Sequence, residues 1–445
     1  MKLASPLSFI IGMPFVALAP LCTGAVLTFD NSAGDGSIQN SGNWAPGYDA
    51  LPTTGVHIGE VIDQSAQLED RQVNDLEITF KGSSAFIANV NSAVRLDDVH
   101  FTFQDTSSWT NNNGSGTENL IIGRVSGANS SLTWNSSGSL TNVSQLDVGQ
   151  TGTGTLTQSA GSISASTFNI HNGTYTSTGG GTLTAGKATV TGGTASIGGT
   201  LETTAASGAA MSISAGNSVA IKSGGELKNT QSGASMTIDG GLHLDLDGKL
   251  NHNGTINVNA GGTLSADSKL DIRGSTLIHN SGTISVVTTL DLASGTDASL
   301  YFSAEAIFAG NTLEVLQLRN GTSLGFEIDG AGNHSTITGN SLQVRMGSTP
   351  DLVVDFLVAP TIGQSFDLIT GVEKFSNYQG VGSGYEFNTV TVNGLEAGQE
   401  YDLIYDTTLA NQGFLRLEII DSIPEPSSAA MLGLGAMGLL MRRRK

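Results

Sequence analysis

Residues 138–201 read GSLTNVSQLDVGQTGTGTLTQSAGSISASTFNIHNGTYTSTGGGTLTAGKATVTGGTASIGGTL. One small pattern pulses through them: Gly, then Thr or Ser, then an apolar residue. It falls at Gly138-Ser139-Leu140, Gly154-Thr155-Leu156, Gly161-Ser162-Ile163, Gly173-Thr174-Tyr175, Gly181-Thr182-Leu183 and Gly199-Thr200-Leu201. Several members recur at roughly 16 to 20 residues. Each pulse reads as a turn followed by a short strand. Such a strand cannot build a core alone, but stacking one coil on the next buries a continuous one. The pattern continues at Gly254-Thr255-Ile256, Gly262-Thr263-Leu264 and Gly282-Thr283-Ile284. The expected fold is all-β, a right-handed parallel β-helix (β-solenoid) over residues 26–300.

Composition agrees. Gly is 59 of 445 residues and charged residues are only 13%. The nine prolines all lie toward the ends, five from Pro6 to Pro52 and four from Pro350 to Pro426. Proline removes a ladder donor and is confined to sheet edges, so the Pro-free middle fits unbroken β-ladders and not disorder. Net charge is −20, and about −24 once the two terminal signals described below are removed. A body this acidic repels nucleic acid and anionic membrane surfaces, which excludes a nucleic-acid partner and favours divalent cations.

Aromatic residues mark a change along the chain. Between Gly138 and Leu300 there are two, Phe168 and Tyr175, whereas Tyr301 to Asp421 holds 13 of the 26. Aromatics supply the volume of a broader core. Residues 301–421 therefore read as a C-terminal β cap, either terminal solenoid coils or a small β-sandwich. Before the pulses, Leu120–Gly123, Leu146–Gly149 and Phe168–His171 share a template, 26 and 22 residues apart.

The N-terminus reads as a secretory signal peptide over residues 1–25: Lys2, an apolar run from Phe9 to Leu18, and a small-residue end that places cleavage at Ala25. Cys22 is the single cysteine, so the exported chain has no disulfide or thiol chemistry. Bulky Leu21 argues against lipidation of Cys22. Asn43-Trp44-Ala45-Pro46-Gly47 followed by Pro52–Ile58 resembles the opening of exported β-helix proteins of the autotransporter-passenger type. Residues 120–284 resemble the repeats of surface proteins of Gram-negative bacteria. Trp44 also suits a simpler role, covering the open end of a solenoid core.

The tail carries an address. Pro424-Glu425-Pro426-Ser427-Ser428 precedes the apolar run Ala429–Met441 and the basic end Arg442-Arg443-Arg444-Lys445. Three such parts in this order resemble the PEP-CTERM sorting signal of Gram-negative bacteria, here residues 422–445. The resemblance implies that an exosortase recognises Pro424, Glu425 and Pro426. It further implies that the apolar run forms a short membrane helix holding the precursor transiently in the inner membrane. Arg442, Arg443, Arg444 and Lys445 would stop transfer on the cytoplasmic side. The physics agrees: two prolines keep the site extended, and terminal cations obey the positive-inside bias. The run is shorter than the ~20 residues of a full span. A permanent, unprocessed anchor is the alternative.

Catalytic chemistry on a β-helix needs carboxylates paired across coils, or a carboxylate cluster beside Lys or Arg. Val148 to Thr200 holds no acidic residue, and Lys187 is its one Lys or Arg. No catalytic residue and no cofactor is assigned. His243-Leu244-Asp245-Leu246-Asp247 puts one His and two carboxylates on one strand face, with Asp245 and Asp247 as candidate Ca²⁺ ligands. The simpler reading is the solvated face of a strand whose Leu242, Leu244 and Leu246 point inward. The expected function is non-enzymatic: a secreted cell-surface or extracellular-matrix protein, partnered by exosortase and secretion machinery, with an adhesion or biofilm role and an exopolysaccharide partner. A glycan-binding or polysaccharide-degrading β-helix enzyme is the alternative.

Overall fold

The computed structural model describes residues 28–29, 44–45, 57–62, 66–68 and 72–422, the last range apart from 89–92, 112–117, 274–275, 294–296, 310–312, 348, 378–385 and 408–412. Every regular element among them is a β-strand, and no described helix is long and apolar enough to cross a membrane. The signal peptide with Ala25, and the tail residues Pro424 to Lys445, lie outside the described residues.

The chain is a parallel β-solenoid with three walls. One coil supplies Gly254–Val258 to the third wall, Thr263–Ala266 to the first and Lys269–Ile272 to the second position, before Thr276–Asn280 begins the next. Strands alternate because the core lies on one side only. Along Gly173–Ser177, Gly173, Tyr175 and Ser177 point inward while Thr174 and Thr176 face out.

Register explains the pulses. Gly154-Thr155-Leu156 pairs with Gly173-Thr174-Tyr175 in the first wall. Ser162-Ile163, Thr182-Leu183 and Thr200-Leu201 align in the second. The 26- and 22-residue template is the third wall, where Leu120, Leu146 and Phe168 stack in register. Pulses thus belong to two different walls, and coil length varies from 18 residues between Thr182 and Thr200 to 24 between Thr194 and Ser218.

The core changes character along the rod. Near its start Phe103 is stacked between Phe80, ring centroids 4.4 Å apart, and Trp134, 4.7 Å apart. In the middle, aliphatic residues fill the interior around the Phe168–Tyr175 pair, and the Tyr175 hydroxyl donates to Gln158 Oε1 at 3.0 Å. That bond satisfies a phenol whose pKa burial pushes up.

Past residue 300 the third wall continues unchanged, Ser299–Phe302 pairing in parallel with Ser323–Ile328, then Asp351–Phe356, then Thr389–Asn393. The other walls behave differently. Lys249–His252 pairs with Glu226–Asn229 but not with Lys269–Ile272, which begins a separate seven-stranded sheet. The first wall's ladder stops at Ile307–Phe308, and the next strand in that position, Ile337–Met346, belongs to the seven-stranded sheet. That sheet ends with Ser365–Asn377 antiparallel to Gly413–Asp421, itself antiparallel to Gln399–Asp406. At the other end, Trp44–Ala45 pairs antiparallel with Thr28–Phe29, which pairs in parallel with residues 61–62.

Two substitutions test this packing. Phe103→Ala should cost about 3–5 kcal/mol by denaturant unfolding, since it empties the centre of the aromatic stack. Gly149 lies at φ +71°, and a Cβ there would collide with the Asn172 carbonyl of the next coil, whereas Gly216 at φ +79° faces open space. Gly216→Ala should cost about 1–2 kcal/mol, the left-handed conformation alone, and Gly149→Ala distinctly more.

Candidate functional site

The charged residues on the solenoid wall divide into those that tie coils together and those that line a cleft. Asp97 and Asp98 belong to the first kind. Asp97 Oδ1 accepts from the backbone amides of Arg124 and Val125 at 3.0 and 3.2 Å, and Asp98 Oδ1 from that of Asn129 at 2.7 Å. Asp147 lies on the same wall with a fully covered side chain. Gln145, Gln150 and Asn169 donate side-chain amide hydrogens to it, and His171 Nε2 stands 3.6 Å away.

The cleft opens where the second wall is interrupted. It has a volume of about 500 Å³, and its lining includes Leu246, Lys249, Leu250, Lys269, Asp271 and Arg273. Leu246 is 67% exposed. Leu242 and Leu244 are buried as expected, but the strand ends at Leu244, so the inward alternation stops there and Leu246 turns out to solvent in the following loop.

Across the interruption, Asp271 and Asp291 face each other in register from successive coils. Lys269 Nζ bridges them, 3.2 Å from Asp271 Oδ2 and 2.7 Å from Asp291 Oδ2. Arg273 Nε donates to Asp271 Oδ2 at 2.7 Å, while Asp271 Oδ1 is buried with no hydrogen-bond partner among the described residues. Arg319 grips Asp291 with two bonds, Nε to Oδ1 at 2.9 Å and Nη2 to Oδ2 at 2.7 Å. Burial alone would raise the Asp291 pKa. The hydrogen bonds and charges of Arg319 and Lys269 outweigh it and hold the carboxyl below its ordinary range.

The sequence-derived cation candidates part company. His243 Nε2 lies 3.4 Å from Asp245 Oδ1 and 3.4 Å from Asp267 Oδ2 of the following coil. Asp247 is not in this group and instead accepts from the Ser223 hydroxyl at 3.3 Å. Asp267 was not among the sequence candidates. Its signal was the coil length: His243 pairs with Ser265, an offset of 22 residues that carries Asp245 onto Asp267. The paired carboxylates Asp271 and Asp291 were missed for the same reason, lying one coil apart in a segment without clear Gly pulses.

The fold and the wall chemistry define a parallel β-solenoid with acidic and basic side chains paired between coils. Residues 422–445, directly after this body, match the family model described as the PEP-CTERM protein-sorting motif. No curated protein and no solved structure matches the chain. A PEP-CTERM motif implies exosortase-dependent export and a cell-surface or extracellular destination for the solenoid that bears it.

Because the folded Asp291 carboxyl titrates below its unfolded value, its contribution is present above about pH 4 and is lost as pH falls through the lowered pKa. Asp291→Ala strands Lys269 and Arg319 and should cost about 3–5 kcal/mol near neutral pH. Denaturant unfolding of both proteins across pH 2–7 (roughly the carboxylate range) should show that gap closing at the acid end.

Proposed function

We propose that the protein is a non-enzymatic structural component of the cell surface or extracellular matrix, with an adhesive or biofilm role and exopolysaccharide as its partner. The observation that carries this reading is the sorting motif at residues 422–445 joined to a β-solenoid body. In this reading the signal peptide ends at Ala25, and the apolar run after Pro424-Glu425-Pro426 anchors the precursor in the inner membrane until the exosortase acts. The first-wall and third-wall faces of the central coils present Thr, Ser and Asn, such as Thr155, Thr174 and Asn169, which offer a glycan many weak hydrogen bonds and no titrating group.

A second reading has one specific observation in its favour. Asp271 and Asp291 are carboxylates from neighbouring coils beside Lys269 and Arg273, at a cleft able to hold part of a chain. That is the arrangement a glycan-binding or glycan-degrading β-helix would require. The ion pairs argue for a structural role, since Asp291 is wholly covered and already saturated by Lys269 and Arg319.

The mass of the mature C-terminal peptide, measured on protein from its native cells, tests the first reading. Loss of everything after the Pro-Glu-Pro region is the expected result. An intact Arg442–Lys445 end would mean a permanently anchored precursor and would remove the matrix role. Pro424→Ala with Pro426→Ala should shift the protein from the surface fraction to the membrane fraction. Release of unsaturated or reducing ends from the producer's own exopolysaccharide, abolished by Asp271→Asn, would instead establish the second reading.

A further inference from the structure

We propose that His243, Asp245 and Asp267 form a divalent-cation site of the zinc class, fastening one coil of the solenoid to the next. The three residues come from two coils. His243 lies in the first-wall strand Gly241–Leu244, Asp245 just beyond it, and Asp267 at the corresponding position one coil later. Their donor atoms all lie within 4.8 Å of one another.

The spacing identifies the ion. Zinc holds imidazole nitrogen and carboxylate oxygen at about 2.0–2.2 Å, and tetrahedral geometry then puts neighbouring donors about 3.4 Å apart. Both nitrogen-to-oxygen separations here are 3.4 Å. Calcium is the poorer match, because it takes six to eight oxygen ligands and no imidazole. One nitrogen and two oxygens leave a fourth position, which opens to solvent because Asp267 is half exposed.

The surroundings prepare the donors. His243 Nδ1 is 2.9 Å from the Ser265 hydroxyl, a partner on the second coil that fixes the ring with Nε2 toward the carboxylates. Lys222 Nζ stands 3.5 Å from Asp245 Oδ2, the oxygen that is not directed at His243, and leaves Oδ1 for the ion. Two carboxylates with this single lysine keep the cluster negative. Asp247, bonded to Ser223, takes no part.

The test uses the full chain, purified without a histidine tag, stripped of metal and titrated with Co²⁺ as a visible reporter of tetrahedral coordination, then with Zn²⁺ in competition. The expected result is one equivalent bound with tetrahedral bands that Zn²⁺ abolishes. His243→Gln and Asp267→Asn should each weaken binding at least tenfold, while Asp247→Asn leaves it unchanged. Absence of Co²⁺ and Zn²⁺ binding, unchanged affinity in His243→Gln, or a preference for Ca²⁺ would overturn the proposal. Should His243→Gln alter the circular dichroism of the fold, the exposed Asp267→Asn decides, and unchanged affinity there overturns the site equally.

Discussion

The structure depends on register between successive coils. No single strand of the solenoid can bury its apolar edge or satisfy its backbone alone, and both needs are met only when the next coil arrives with its inward residues at matching height. A shift of one residue would turn Leu156 and Tyr175 outward and bring their threonine neighbours into the core. Glycine enters the same constraint at a few corners. At Gly149 the backbone of one coil passes so close to the carbonyl of Asn172 in the next that no side chain fits between them.

The fold was legible because this constraint writes itself into sequence. Gly-Thr-Leu pulses mark the turns into the first and second walls, and the Leu120, Leu146 and Phe168 template marks the third. What the sequence concealed was relative height. Coils of unequal length shift each new position by a few residues, so Asp245 and Asp267, or Asp271 and Asp291, show no fixed spacing from which their adjacency could be read. Leu246 misleads for a local reason: alternation holds only while the strand lasts, and the strand ends two residues earlier. The break between Lys249–His252 and Lys269–Ile272 leaves no mark at all, because each strand keeps an ordinary ladder on its other side. The tail was the most legible part, since its recognition depends on a short linear motif and not on anything folding brings together.

Charge on this protein works mainly between coils. Asp97 reaches across to hold the turn at Arg124, Asp147 is enclosed by side-chain amides, and Asp291 is clasped by cations from the coils on either side. An exported chain without disulfides has few other covalent or ionic fasteners, and these contacts occupy the place that cross-links fill elsewhere. The same logic makes the His243 cluster intelligible as a fastening.

The interrupted ladder also bears on how the rod responds to load. Around residues 249–272 the first and third walls are hydrogen-bonded across the level of the break, but the second is not. Bending stiffness there is therefore unequal in different directions. Pulled or pushed by flow, the rod flexes first by opening or closing its second-wall side, and the cleft changes width as it does so.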